Sequence, residues 1–317
     1  MSPGSKNNTG SEKQDRLAAR QPALWVRAKM LQGIRRFFIE RDYLEVETPH
    51  LIPAPAPETH IDAFPVDKLF LHPSPELCMK RLISAGYPKI FQICKCFRQG
   101  ERGEYHLPEF TMLEWYRTGT DYLGLMEECE EMILSLSYGL NLTDGFNYQG
   151  EEIRLDRPWN RISLEEAFNR FTTTTMEEAL TSERLDEVIV EQIEPHLKTA
   201  TPTFLYDYPA SHAALSRLKN NNSGLAERFE LYIGGLEVAN AFSELTDADE
   251  QTLRFEKEQQ KRQQLGKTVY PMPEKFLKAL RHMPRSAGIA LGVDRLVMLF
   301  TNKTSIDEVT AFTPEEL

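Results

Sequence analysis

The stretch Phe97-Arg98-Gln99-Gly100-Glu101-Arg102-Gly103-Glu104-Tyr105-His106-Leu107-Pro108-Glu109-Phe110-Thr111-Met112-Leu113-Glu114-Trp115-Tyr116 reads as a strand, a charged loop and a second strand. The two-residue side-chain period puts Glu114 and Tyr116 on one face of that second strand, as it does Phe110 and Met112. A cation at the end of one strand, facing an aromatic ring on its neighbour, can bind a phosphate and stack a base. The plainer alternative is a hairpin with a solvated tip.

Upstream, Leu24, Ala28, Leu31, Ile34 and Phe38 recur at three- and four-residue steps, the mark of an amphipathic helix. Pro22 suits its first turn, and polar, aperiodic residues 1–22 read as a disordered tail. Tyr43–Thr48 alternates like a strand until Pro49, and residues 53–57 (Pro-Ala-Pro-Ala-Pro) form an extended loop. Next come a strand near Leu69–His72, a helix near Glu76–Ala85 and a strand near Ile90–Phe97. Downstream, 121–138 and 163–198 read as helices around a strand-prone stretch, Asn141–Asn160. Strands follow near Phe204–Tyr208 and Arg228–Ala241, then a charged helix over 247–264, capped by Thr246 and solvated on its face. A strand at Ile289–Leu291 runs into a last helix, Val293–Phe300. Strands arriving in clusters, without strict alternation with helices, predict an α+β fold: an antiparallel sheet flanked by helices, in one domain over 23–317.

Composition narrows the function. The 317 residues carry a net charge of −11, which argues against broad nucleic-acid binding through clustered cations. An anionic ligand must then be held by a few local Lys or Arg side chains. No apolar run approaches the ~18 residues a membrane span needs. Four cysteines are too few for a disulfide scaffold and point to a reducing cytosol. The Walker A and G-x-G-x-x-G phosphate loops are both missing.

Two further segments bear chemistry. In Gly235-Leu236-Glu237-Val238-Ala239-Asn240-Ala241-Phe242-Ser243-Glu244-Leu245, charged and amide side chains stand among apolar strand residues, costly unless paired or metal-bound. Asn240 and Glu244 share a face, whereas Glu237 and Glu244 face opposite ways on a regular strand. Joint metal binding by the two therefore requires a bulge; otherwise one of them is simply exposed. In Gly288-Ile289-Ala290-Leu291-Gly292-Val293-Asp294-Arg295, a strand passes through Gly292 into a helix with Arg295 in its first turn, a plausible polyphosphate site. Cys94 and Cys96 have a C-x-C spacing, but nothing downstream completes a ligand set, so they read as buried structural thiols. His50, His60, His72, His196, His212 and His282 have no clustered partners in the sequence, and the Thr172–Thr175 run says little.

Taken together, the three segments resemble motifs 2 and 3 of class II aminoacyl-tRNA synthetases, and Phe38–Leu51 (FIERDYLEVETPHL) resembles motif 1. Pro108-Glu109-Phe110-Thr111-Met112 and Leu299-Phe300-Thr301-Asn302 are near-verbatim strings of the lysyl branch. The resemblance covers about residues 23–312, with some 22 residues where a full lysyl synthetase carries an anticodon-binding domain. That truncation, with Ser74-Pro75-Glu76, Tyr206–Ser211 and Leu113–Arg117, resembles the free-standing paralogs that modify elongation factor P. Ala290 stands where lysyl synthetases have glycine and these paralogs have alanine.

The resemblance implies a two-step reaction. ATP activates (R)-β-lysine, or lysine, as an aminoacyl-adenylate, and the acyl group passes to a lysine ε-amine of elongation factor P. It assigns Arg98 to the α-phosphate and substrate carboxylate, and Arg295, His106 and Gly292 to the rest of the nucleotide. Phe110 would stack on adenine, and Glu237 and Glu244 would carry Mg²⁺. Ser74, Glu76, Glu114, Tyr116, Asn240, Glu244 and Ala290 would line the amino-acid pocket. A homodimer built through motif 1 is implied as well, in the cytoplasm and without a membrane. Two positions depart from the family. Gly100 replaces the motif 2 glutamate, with Glu101 next door, and Asp42 replaces the motif 1 turn glycine. The competing readings are a truncated lysyl-tRNA synthetase charging tRNA with α-lysine, opposed by the missing domain and the acidic charge, and a catalytically dead paralog.

Overall fold

The computed structural model describes residues 9–143 and 145–317. The chain opens with helix α1 (Thr9–Ile39), followed by short strands β1 (Leu44–Glu45), β2 (Leu51–Ile52), β3 (Pro65–Val66) and β4 (Leu69–Leu71). Then come α2 (Glu76–Ser84), β5 (Lys89–Phe97), β6 (Glu109–Thr118) and α3 (Tyr122–Gly139). A small hairpin, β7 (Phe146–Tyr148) and β8 (Glu151–Ile153), leads to β9 (Asn160–Ser163), α4 (Leu164–Phe171), α5 (Met176–Thr181) and α6 (Leu185–Val188). The last part holds β10 (Thr203–Pro209), β11 (Leu218–Lys219), β12 (Asn222–Ile233), β13 (Leu236–Ser243), α7 (Ala248–Gln264), α8 (Glu274–Leu280), β14 (Ser286–Gly292) and α9 (Val293–Phe300).

Among the described residues, nine strands make one mixed, mainly antiparallel sheet in the order β1-β5-β6-β14-β13-β12-β10-β9, with β11 beside β12. Only β1 on β5 and β9 on β10 run parallel. This is the expected α+β architecture. Side-chain alternation gives the sheet two unlike faces. On β6, Leu113 and Trp115 point to a core formed with α1, α3 and α9, while Phe110, Met112, Glu114 and Tyr116 point into a cavity. On β14, Ala287, Ile289 and Leu291 go to the core, and Gly288, Ala290 and Gly292 to the cavity. Phe38 of α1 anchors the core: its ring stacks on Phe91 at 4.9 Å and meets Trp115 at 5.1 Å. Burying such a ring contributes roughly 1.5–3 kcal/mol.

Several expectations are corrected. Residue 22 is no boundary: α1 runs from Thr9, with Pro22 inside it. Arg20 explains why, since its guanidinium donates to both carboxylate oxygens of Glu316 at 2.7 and 2.9 Å and docks this segment on the C-terminal end. The part of the tail expectation covering residues 1–8 lies outside the described residues. The helix expected over 163–198 is broken, because Ser163 and Thr175 turn their hydroxyls to backbone N–H groups and start α4 and α5 separately. Helix α7 is capped by Asp247 rather than Thr246, through hydrogen bonds from the N–H groups of Asp249 and Glu250. The strand expected over Tyr43–Thr48 keeps only Leu44–Glu45 in the ladder. Asp42 does take the left-handed turn, at φ 61°.

Candidate active site

The cavity on the polar face of the sheet has a volume of ≈ 290 Å³. Every candidate site residue lines it: Ser74, Glu76, Arg98, His106, Phe110, Glu114, Tyr116, Glu237, Asn240, Glu244, Ala290, Gly292 and Arg295. Four adjacent strands and the loops at their ends bring them together from a 222-residue span of chain.

At one end are two arginines, Arg98 largely free and Arg295 held by the protein. Arg98 closes β5 and lies over the Phe110 ring at 5.1 Å. Its nearest protein acceptors are the Pro73 carbonyl at 3.5 Å and the Glu101 carboxylate at 3.8 Å, so most of its donors stay free. Glu101, not Gly100, supplies the carboxylate beside Arg98. Gly100 sits at φ 82°, in the left-handed region that favours glycine, and so makes the turn that brings Glu101 round. Arg295 donates to the Glu237 carbonyl at 2.7 Å, the Glu237 carboxylate at 3.0 Å and His106 Nε2 at 2.6 Å. A guanidinium only donates, so Nε2 accepts and His106 carries its proton on Nδ1. Asp294, next to Arg295, is buried and pairs with Arg27 while accepting from the Thr111 N–H at 2.7 Å. That clamp fixes the start of α9 against β6.

The bulge that joint use of Glu237 and Glu244 demands is present. Leu231 of β12 pairs with Ala239 and Tyr232 pairs with Glu237, leaving Val238 unpaired and turning Glu237 to the cavity side. Carboxylate oxygens are what a hard cation such as Mg²⁺ takes. Glu237 is half-exposed, while Glu244 is buried and has its Oε2 2.5 Å from Lys80 Nζ. Glu237 and the second oxygen of Glu244 are therefore the ligands these two residues can offer.

At the other end the charges are buried. Glu114 is 1% exposed and accepts from Ser74 Oγ at 2.6 Å and Tyr116 OH at 2.8 Å. Burial, then the nearby Glu76 charge, push its carboxyl up to about 8. Glu58, half-buried on the cavity wall, is raised to about 7 by the same two causes. Lys80, itself buried, holds Glu76 and Glu244 at 2.5 Å each, and the two carboxylates keep its ammonium well above the ordinary range. Burial pushes Glu244 upward against the pull of Lys80. Asn240 is oriented by the Arg228 guanidinium, which donates to its Oδ1 at 3.3 Å. The methyl of Ala290 stands between Glu114 and Asn240, its partners on the two neighbouring strands.

Lys80, Glu58 and Gly288 escaped the sequence reading, whereas Glu101 was noted there as the neighbour of Gly100. The i,i+4 spacing of Glu76 and Lys80 was the available signal for one of them. Gly288 has no polar atom to notice, yet a Cβ there would lie 2.2 Å from Tyr116 Cε1 and 2.5 Å from Glu244 Oε1. The solvated-face reading of α7 is also corrected. Arg262 is fully buried over the Tyr270 ring and donates to the carbonyls of Glu58 and Ile61 and to Asp62. It thereby sets the loop that brings Glu58 and Ile61 to the cavity.

Comparison with known proteins agrees with this geometry. The family model for class II tRNA synthetases (D, K and N) matches residues 14–316. A Proteus mirabilis (strain HI4320) protein named elongation factor P–(R)-beta-lysine ligase is 39% identical over 305 residues, 90% of this chain and 93% of its own. The protein of that name from Pseudoalteromonas translucida (strain TAC 125) is 40% identical over 305 residues, again 90% and 93% of the two chains. A third, from Salmonella arizonae (strain ATCC BAA-731 / CDC346-86 / RSK2980), is 39% identical over 318 residues, 93% and 96%. With a family match over nearly its whole length and motif residues gathered on one cavity, the chain belongs to the class II tRNA synthetases of the D, K and N type.

Proposed function

We propose that this protein is an ATP-dependent ligase that activates (R)-β-lysine as an adenylate and transfers it to a lysine ε-amine of elongation factor P. The observation that carries the reading is the inner end of the cavity. Glu58, Glu76, Glu114 and Glu244 all line the cavity, and the buried ammonium of Lys80 pairs with only two of them, Glu76 and Glu244. Such a surplus of carboxylates suits a substrate with two amines. The names of the relatives, shared over nine tenths of the chain, point to the same substrate and acceptor.

The residues divide the work. Arg98 is placed to hold the substrate carboxylate against the α-phosphate, so that attack at phosphorus becomes a matter of positioning. Phe110 gives the adenine a face, and Arg295 with His106 receives the outer phosphates at the start of α9, beside Gly292. Glu237 and Glu244 would hold Mg²⁺, which when bound offsets triphosphate charge in an acidic protein. Glu114, with Ser74 and Tyr116 fixing both its oxygens, receives an ammonium group. Glu76 and Asn240 border the same space. No covalent nucleophile is required, since the adenylate is itself the activated acyl donor.

We read the chain from α1 to its C-terminal end as one catalytic domain acting in the cytoplasm, the four cysteines all being free thiols. Among the described residues no helix is long and apolar enough to cross a membrane. A homodimer through the motif 1 region is part of the proposal, supported by exposed Leu44 and Leu51 there; sedimentation at micromolar concentration tests it.

ATP–pyrophosphate exchange with (R)-β-lysine and L-α-lysine, followed by transfer of labelled amino acid to elongation factor P or to tRNA, tests the function. Exchange favouring (R)-β-lysine with label on elongation factor P is expected. Exchange favouring α-lysine with label on tRNA would make the chain a truncated lysyl-tRNA synthetase, and no exchange with either would leave a non-catalytic paralog.

A further inference from the structure

Three side chains that the proposed chemistry does not use meet beside the cavity, on the same face of the sheet. His72 follows β4, and Cys94 and Cys96 lie two apart on β5. All three are buried, and their ligand atoms lie within 4.8 Å of one another. Among the described residues, no other group of three or more His, Cys, Asp or Glu side chains comes this close. The completing ligand lies upstream of the cysteines, whereas the sequence reading looked for it downstream.

The geometry is that of a metal site. The two Sγ atoms are 3.9 Å apart, far beyond the ~2.05 Å of a disulfide. Two thiolates about 2.3 Å from one tetrahedral zinc would be about 3.8 Å apart. His72 is fully buried, with Nε2 2.7 Å from the Lys95 carbonyl. A carbonyl oxygen only accepts, so Nε2 carries the proton and Nδ1 is left as a bare lone pair. That Nδ1 is buried and has no hydrogen-bond partner. An orphaned buried acceptor is costly, and an imidazole tied through its other nitrogen to a backbone carbonyl is what a metal-bound histidine needs. Met112 adds a soft thioether, its Sδ 4.0 Å from Cys96 Sγ. Cys94 also lines a second surface cavity with Thr48, Pro49, His50 and Gln92, which gives an ion a way in.

We infer that His72, Cys94 and Cys96 form a binding site for one thiophilic cation of the Zn²⁺ type, separate from the carboxylates proposed for Mg²⁺. Two sulfurs and a nitrogen select soft or borderline metals over hard ones. In the β5–β6 ladder Cys94 pairs with Met112 and Cys96 with Phe110, so the ion would tie the chain before α2 to the strand next to the cavity-lining Phe110 and Met112.

Titration of the reduced, metal-stripped full chain tests the site. Co²⁺ should bind with one equivalent showing a thiolate-to-cobalt charge-transfer band that Zn²⁺ abolishes and excess Mg²⁺ does not. Cys96→Ser and His72→Ala should each weaken Co²⁺ binding by at least about tenfold. Cys129→Ser, which changes a cysteine in the opposite core, should leave it intact. Absence of the band in the wild-type chain overturns the proposal, and so does its persistence at full strength in both cluster variants. Alkylation mapping gives a reading that needs no variant. Maleimide should label Cys94, which lines the surface cavity, in the metal-free chain; Zn²⁺ should protect it and leave the labelling of Cys78 unchanged, and equal labelling of Cys94 with and without Zn²⁺ overturns the site.

Discussion

The two ends of the cavity are built on opposite principles. At the nucleotide end, Arg98 and Arg295 keep 24% and 17% of their side chains exposed and reach the cavity from a strand end and a helix start. At the amino-acid end, Lys80 and Glu244 are each 1% exposed and held within one another's reach by the sheet and α2. A triphosphate brings its own charge, and a few accessible cations suffice to receive it. A small diamine must instead be measured, and buried carboxylates on rigid elements do the measuring because leaving any of them unpaired is costly. Damage at the first end should therefore stop the chemistry, and damage at the second should change which amino acid is accepted.

The largest effect is expected from Arg98→Ala. Its guanidinium is largely unengaged by the protein, so its removal takes away transition-state stabilisation without disturbing the core. Pyrophosphate exchange should fall on the order of 10³-fold. Exchange within tenfold of wild type would break the assignment of this end to the nucleotide.

Gly288→Ala attacks the other end. The new Cβ has no room beside Tyr116 and Glu244, and both are buried. Overpacking of this kind costs about 1–3 kcal/mol, and the half-saturating concentration of the amino acid should rise on the order of 10²-fold while nucleotide binding is retained. Equal losses for nucleotide and amino acid would erase the distinction between the two ends.

Arg98 and Arg295 were legible through the family resemblance of the strings that hold them, since charge and spacing alone also fitted a hairpin with a solvated tip. The bulge at Val238 was legible as a requirement, since strand parity alone forbids Glu237 and Glu244 from meeting. Lys80 and Glu58 were not legible. Their meaning comes from desolvation and from partners set by packing, and neither is written in local sequence. Arg262 was misread for the same reason: the carbonyls it satisfies lie some 200 positions away. The start of α1 was missed because its anchor, Glu316, stands at the opposite end of the chain. His72 with Cys94 and Cys96 shows the same limit, two short-range neighbours waiting for a distant third.

The pH dependence of stability separates the two ends without any activity assay. Glu114, raised to about 8 in the fold, keeps a proton that the unfolded chain gives up near 4.5. Its contribution to stability is complete below about 4.5 and is lost as pH rises towards 8. The substrate-free protein should thus lose stability between about pH 4.5 and 8, by at most about 1.4 kcal/mol per pH unit from this group. Denaturant titration of Glu114→Gln should give a shallower slope by a measurable part of that amount. (R)-β-lysine should flatten the wild-type slope too, because its ammonium favours the ionised carboxylate. An unchanged slope in the variant would remove Glu114 as the titrating group.

The smallest and most specific effect concerns Ala290. Its methyl lies between Glu114 on β6 and Asn240 on β13, at the inner end of the cavity, where space beside the substrate's first carbons is decided. Ala290→Gly opens that space by one methyl and leaves every polar partner in place. Preference should move from (R)-β-lysine towards L-α-lysine by about 1–3 kcal/mol, roughly tenfold or somewhat more in the ratio of kcat/KM values. The rate of the adenylation step with saturating preferred substrate should hardly change, since Arg98 is untouched. A variant with unaltered selectivity would mean that the carboxylates alone choose the amine position. A variant that lost activity with both amino acids equally would mean that the methyl supports the wall rather than measuring the substrate.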